Sequence, residues 1–161
     1  MEQSPIALVA GANKGIGRET VRQLATAGLT ALLVGARDNC LGGASAGSVR
    51  SEGLAITVIE LDLTRPEKIA AAAASIAATH GRLDVLVNNA AISAGPMEGS
   101  PGSADTGALR REMETNFIGT LAAIQAMLPL LSAAPATRIT NVSSGRGSLA
   151  MQSDPDGPTG P

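Results

Sequence analysis

The stretch Ile6-Ala7-Leu8-Val9-Ala10-Gly11-Ala12-Asn13-Lys14-Gly15-Ile16-Gly17 decides the fold. Its first four residues form a short apolar run after Pro5 and read as a buried strand. Glycines follow in the pattern Gly-x3-Gly-x-Gly, ahead of a helix expected from about Ile16 to Ala27, with Gly28 as its left-handed stop. Strand, glycine turn and helix start in that order can cradle a pyrophosphate. The glycines let the backbone come close, and the helix offers free N–H groups and its positive end. The pattern is not a Walker loop, because no Gly-Lys-Ser/Thr follows at the required spacing.

Outward from this stretch, strands and helices alternate. Leu32–Val34, Ile56–Ile59, Asp84–Val87 and Arg138–Val142 read as four more short buried strands. Thr64 and Glu67 fit a capping box, and the helix they open runs through alanines to about Thr79, where Gly81 ends it. Leu109, Met113, Phe117, Leu121, Ile124, Leu128 and Leu131 recur at spacings of three and four, one face of a long helix over 108–131. Leu41–Gly53 carries three glycines by Gly47 and reads as a weak helix or loose loop, and Ala91–Asp105 is turn-rich. The fold class expected is α/β: a Rossmann-type three-layer doubly wound parallel sheet, truncated after about five strands. Residues 1–150 form its domain, and 151–161 read as a disordered Gly/Pro/Asp tail, with no stable element after Ser144.

Composition excludes several classes of function. Of 161 residues, 29 are alanine and 19 glycine, so the core must be small and aliphatic. Phe117 is the lone aromatic residue, which removes base-stacking nucleic-acid platforms, and a net charge of −2 gives no field to attract phosphate backbones. No nucleic-acid partner is expected. With one cysteine (Cys40) and one histidine (His80), no internal disulfide and no Cys- or His-rich metal site is expected. The start lacks the basic flank of a signal peptide. The longest membrane candidate, Phe117–Ala136, contains Thr120, Gln125, Pro129 and Ser132 and suits a buried helix better. A cytoplasmic protein without membrane contact is the expectation. The chain has no tyrosine, so no tyrosine hydroxyl can take part in its chemistry.

The glycine loop implies a dinucleotide, and the second strand bears on which one. An acid there would grip a ribose diol and repel a 2′-phosphate. The place reads Gly35-Ala36-Arg37, with Lys14 in the loop itself, and two cations suit the 2′-phosphate of NADP better than NAD. Asp38 beside Arg37 could offset part of that charge. Asp62 after the third strand either accepts a bond from adenine or serves as a helix-start acid. Asn88 and Asn89 after the fourth strand either brace the sheet ends or line a cofactor groove.

Together these pieces resemble the short-chain dehydrogenase/reductase family. The matching stretches are Ala10–Gly17, Leu61-Asp62-Leu63, Leu83–Ala90, Asn116 in the long helix, and Asn141-Val142-Ser143-Ser144. Lys14, Arg37 and the run from Ser144 to Pro158 look most like the NADP-dependent carbonyl-reductase-like branch. The resemblance implies that Gly11, Gly15 and Gly17, with Asn13 and Ile16 of the same loop, hold the cofactor. It implies that Lys14 and Arg37 meet the 2′-phosphate, that Asp62 and Leu63 flank adenine, and that Asn89 and Ala90 lie along the ribose. It further implies that Ser144 bonds the substrate carbonyl and that Asn116 holds a water in a proton relay. The activity implied is hydride transfer between NADP(H) and a small carbonyl or alcohol.

Three positions depart from the family pattern. Ala10 stands where the family usually has Thr, and Ala91 where it usually has Gly. The family's catalytic Tyr, with a Lys four residues later, is expected shortly after Ser144 and is absent from this chain. The expectation is therefore at most trace turnover by these 161 residues. A non-catalytic NADP-binding remnant and an unstable truncated product are the alternatives. Self-association is expected through the helix 108–131 or an exposed sheet edge.

Overall fold

The computed structural model describes residues 5–29, 31–36, 56–93 and 101–154. Five strands, β1 (Ile6–Ala10), β2 (Ala31–Ala36), β3 (Ile56–Glu60), β4 (Val85–Asn88) and β5 (Arg138–Asn141), form one sheet in the order β3-β2-β1-β4-β5. All four pairings are parallel, with Leu8 opposite Leu33 on one side and Leu86 on the other. The chain starts in the middle, winds outward to β3, then returns to β4 on the opposite side of β1. This is the doubly wound arrangement expected.

β1 is buried throughout because both its edges are paired and both faces are covered. Ile6, Leu8 and Ala10 belong to one core with Leu86, Ile76 and Met127, while Ala7 and Val9 belong to a second with Val21 and Ala25. Alternating side chains therefore feed two layers, as the pleat of a strand requires. The second layer is made by α1 (Gly15–Thr26), whose end is closed by a Schellman pattern: Gly28 N–H to Ala25 O and Leu29 N–H to Leu24 O. The first layer holds α2 (Pro66–His80) and α3 (Thr106–Ser132), the latter interrupted by a π turn at Glu114–Gly119. At the amino edge of the sheet, the buried Asp84 carboxylate accepts from Ile6 N–H at 2.9 Å and Arg82 Nε at 3.1 Å. That contact joins the starts of β1 and β4.

Four expectations change. Thr64 does not cap α2. Pro66 takes the first helical position, where its missing N–H does no harm, Arg65 is the cap residue, and Thr64 Oγ1 donates to Asp62 Oδ1 at 2.7 Å. Glu67 pairs with Arg65 at 2.7 Å instead of closing a box. β5 is exposed along its length, since its one sheet neighbour is β4. The apolar stripe of α3 faces mostly outward: Leu109, Met113, Phe117, Leu121 and Leu128 are exposed, while Ala108, Thr115, Gly119, Ala123 and Met127 turn inward. The reason is close approach, for Gly119 packs directly against the Leu63 backbone, where a side chain would not fit. Finally, Gly145–Gly147 and α4 (Leu149–Ser153) follow Ser144, with Ser148 Oγ accepting from Met151 N–H at 3.3 Å as a helix cap.

By length and composition α3 could cross a membrane. Its inner face, with Met127, Leu130 and Leu131 buried in the same core as β1, instead builds it into this domain. Leu41–Gly53, Arg37 and Asp38, Cys40, and 155–161 lie outside the described residues.

Candidate active site

Because every strand is parallel, the segments that follow them gather along one edge of the sheet. β1 and β4 are neighbours although α1, β2, β3 and α2 separate them in sequence, so the edge opens between their ends. A cavity of about 820 Å³ lies there. Gly11, Asn13, Lys14, Gly15 and Ile16 line it from the glycine loop, and Asn89, Ala90, Ala91, Ile92 and Ser93 from the segment after β4. Leu61 and Leu63 line it beyond β3, and Thr115 from the π turn of α3.

Gly11 and Gly17 let neighbouring parts of the protein pack closely on the loop, while Gly15 has open space where a Cβ would stand. At Gly11 a Cβ would stand 2.6 Å from Ala90 Cα, and at Gly17 it would stand 2.5 Å from both Asn89 Nδ2 and Gly11 O. Gly17 is buried behind the cavity, where it lets α1 close on the loop. The Asn89 amide then ties the loop down, donating to Gly11 O at 3.1 Å and more weakly to Ala10 O at 3.4 Å. This bridge joins the ends of β1 and β4 where Ala10 has no hydroxyl to offer. Lys14, the cap residue of α1, makes no side-chain cap bond, and the first turn of the helix contains no acid. The donors and the positive end of α1 are therefore available to an anion at the cavity.

Asn88 and Asn89 divide the two roles left open by the sequence. Asn88 braces the sheet, its Nδ2 donating to Asn141 Oδ1 at 2.8 Å across β4 and β5. Its Oδ1 is buried without a hydrogen-bond partner among the described residues. Asn89 both braces the loop and lines the cavity. Asp62 makes a tight turn, its Oδ1 accepting from Thr64 N–H at 3.0 Å as well as from the hydroxyl. Leu61 and Leu63 on either side reach the cavity, and Asp62 is not among its described lining residues.

Asn116 sits in the π turn and clamps the segment after β4. Its Oδ1 accepts from Ile92 N–H and its Nδ2 donates to Ile92 O, each at 2.8 Å. Both ends of the amide are thus engaged with backbone. Ser144 follows β5 on the same edge of the sheet, and its carbonyl accepts from Gly147 N–H at 3.0 Å. Neither Asn116 nor Ser144 is among the described residues lining the cavity, and Arg37 lies outside the described residues. Sequence reasoning did not single out Leu61, Ile92, Ser93 or Thr115 as site residues. Three of these stand within five residues of a strand end, which is a usable signal. Thr115 carried none, because its place depends on how α3 packs.

An open parallel sheet with a glycine loop at the strand-order reversal defines a doubly wound, Rossmann-type α/β protein. A family model described as short chain dehydrogenase matches residues 5–155. Carbonyl reductase [NADPH] 1 of Rattus norvegicus is 36% identical over 149 residues, covering 92% of this chain and 52% of that protein. The solved structure of menthone neomenthol reductase from Mentha piperita superposes with a TM-score of 0.83 at 31% identity, covering 93% of this chain and 64% of that one. A metagenomic short-chain oxidoreductase in complex with NADP superposes with a TM-score of 0.77 at 31% identity, covering 87% and 62%. The chain belongs to the short-chain dehydrogenase family. It spans just over half the length of the curated relatives it matches.

Proposed function

We propose that this chain is the cofactor-holding portion of an NADP(H)-dependent short-chain oxidoreductase that acts on a small carbonyl or alcohol. The observation that carries the reading is the glycine loop, packed against Ala90, tied by Asn89 and open at Gly15, at the uncapped start of α1. Those residues fit a dinucleotide: the loop admits a pyrophosphate against bare backbone, and the cavity extends to an apolar end at Leu61 and Leu63. Bound there, a nicotinamide dinucleotide supplies or accepts the hydride. Lys14 meets the ribose 2′-phosphate, and Arg37 is the second cation expected beside it. Asn116 holds Ile92, and with it the wall of the cavity beyond Ala91. Ser144 is the donor expected for the substrate oxygen. The similarity to the rat carbonyl reductase [NADPH] 1 and to the metagenomic oxidoreductase in complex with NADP supports the same cofactor.

The absence of tyrosine favours a second reading, in which these 161 residues bind the cofactor and turn it over at trace rates at most. A positioned general acid is worth about 10²–10⁴ in rate. Calorimetric titration tests binding: the chain should take up NADPH more tightly than NADH, and Lys14→Ala should narrow that preference. No heat at millimolar NADPH refutes both readings. Carbonyl-dependent loss of NADPH absorbance then separates them, robust turnover by the purified chain removing the second. The exposed stripe from Leu109 to Leu128 supports self-association through α3, which sedimentation over a range of concentrations checks.

A further inference from the structure

We propose that a second copy of this chain pairs with the open edge of β5, antiparallel and about a twofold axis at Thr140, so that two sheets join into one. This goes beyond association through α3 by assigning the strand, its register and the axis. Among the described strands β5 has β4 as its one neighbour, and it is exposed along its length. The register with β4 sets which of its backbone groups are already used. Arg138 N–H donates to Asp84 O and Val142 N–H to Asn88 O, each at 2.9 Å, so Arg138, Thr140 and Val142 turn their backbone groups towards β4. Ile139 and Asn141 therefore turn theirs outward, and these N–H and C=O groups have no partner among the described residues.

Those outward groups are self-complementary, which is the reason to commit to a second copy. A reversed copy with Thr140 opposite Thr140 sets Ile139 opposite Asn141 on both sides of the axis. Each such pair exchanges both N–H···O bonds, as alternate pairs of an antiparallel ladder do, and no outward group of the strand is left over. Charge does not oppose the pairing. Arg138 falls opposite Val142, so the two arginines stand four residues, about 13 Å, apart. The faces agree as well, because the axis is perpendicular to the sheet and keeps both copies of α3 on one side. One flank of α3 carries Ala122 and Ala126, half-buried on the core it shares with α2. The opposite flank carries Phe117, Leu121 and Leu128, all exposed. As α3 is the crossover from β4 to β5, that flank lies on the side of the β5 edge, and the same pairing brings the two flanks together.

The twofold axis makes residue 140 meet itself, so a charge placed there repels its own copy. The test is sedimentation equilibrium of the parent chain, Thr140→Lys, Thr140→Glu and an equimolar mixture of the two variants. The parent should dimerise, and each variant alone should dimerise about fivefold more weakly or worse, the effect of two like charges about 4 Å apart in water. The mixture should be at least as tight as the parent. Thr140→Cys in a Cys40→Ser background, which removes the chain's own cysteine, should form a disulfide-linked dimer on mild oxidation. Directly opposed residues of this kind have Cα atoms about 4.5 Å apart, within disulfide reach. This cross-link decides if the charge variants do not fold, as judged by far-UV circular dichroism. A mixture no tighter than its components, or no cross-link, overturns the proposal. A dimer that Leu121→Glu abolishes and charge at position 140 leaves unchanged also overturns it, and leaves association through α3 alone. A parent that stays monomeric overturns both. Calorimetric binding of NADPH is read separately, so the nucleotide reading stands or falls on its own.

Discussion

Three glycines of one loop should respond differently to the same added methyl group, and the geometry sets the order. Gly15 has φ +55 and nothing within 4 Å of a new Cβ, so Gly15→Ala carries only left-handed strain, about 1 kcal/mol. Gly17 is not left-handed, and alanine there gains about 1 kcal/mol of helix propensity. Its Cβ would nevertheless stand 2.5 Å from Gly11 O, which is backbone and cannot swing away, and 2.5 Å from Asn89 Nδ2. Overpacking at about 1–3 kcal/mol and loss of the Asn89 bond at about 1 kcal/mol leave a net cost of about 2 kcal/mol. Gly11 combines both effects, with φ +70 and Ala90 Cα at 2.6 Å, and Gly11→Ala should cost about 4 kcal/mol. Against a total stability of about 5–15 kcal/mol, that variant should be close to unfolding. Urea unfolding followed by far-UV circular dichroism measures the series, since the chain has no tryptophan to report by fluorescence. Gly17→Ala as stable as the parent, or Gly11→Ala no worse than Gly15→Ala, would refute the reasoning. Adding Asn89→Ala to Gly17→Ala should cost less than the sum of the two, because they remove the same bond.

Further outcomes follow from other contacts. Asp84→Ala strips the acceptor from the buried Ile6 N–H and should cost about 1–3 kcal/mol in urea unfolding, while Asp84→Asn, which keeps an acceptor, should cost clearly less. Asn116→Ala releases both bonds to Ile92, and faster hydrogen exchange at the Ile92 amide should report it; unchanged exchange there would show that the clamp does not hold that segment. The Arg22 side chain, and then that of Gln23, hold the Glu19 carboxyl down from its ordinary 4.5 to about 2. A depressed carboxyl stabilises the fold above the ordinary value and loses that contribution as pH falls towards about 2. Glu19→Gln should therefore trail the parent slightly at neutral pH, with the gap in urea midpoint closing on acidification. The effect should be small because the pair is exposed and screened.

Local sequence already stated the order of elements and the place of the phosphate loop, because each depends on neighbours in the chain. Buried strands, Gly28 as a helix stop and the turn from β1 into α1 follow from side-chain periodicity and from φ/ψ freedom at single residues. Membership of a family was legible for the same reason, in five short motifs. The start of α2 was misplaced by one local rule overriding another, Pro66 at the first helical position prevailing over a Thr64 cap. The long helix shows a limit of a different kind. Its spacing announced a helix but not which side faces the sheet: Ala108, Gly119, Ala123 and Met127 took the inside, and at Gly119 the helix lies too close to the Leu63 backbone for any side chain.

The amino-acid sequence by itself determined a doubly wound α/β chain with a dinucleotide-type glycine loop and no tyrosine. Those are statements about residue type and short-range order. Only the tertiary structure decided that Asn88 serves the sheet and Asn89 the loop, that Asn116 is bound at both ends to Ile92, and that Thr115 reaches the cavity. Each joins residues 24 to 78 positions apart or more. Such meetings are fixed by the strand order and by how closely a helix can approach a sheet, neither of which any stretch of the chain carries alone.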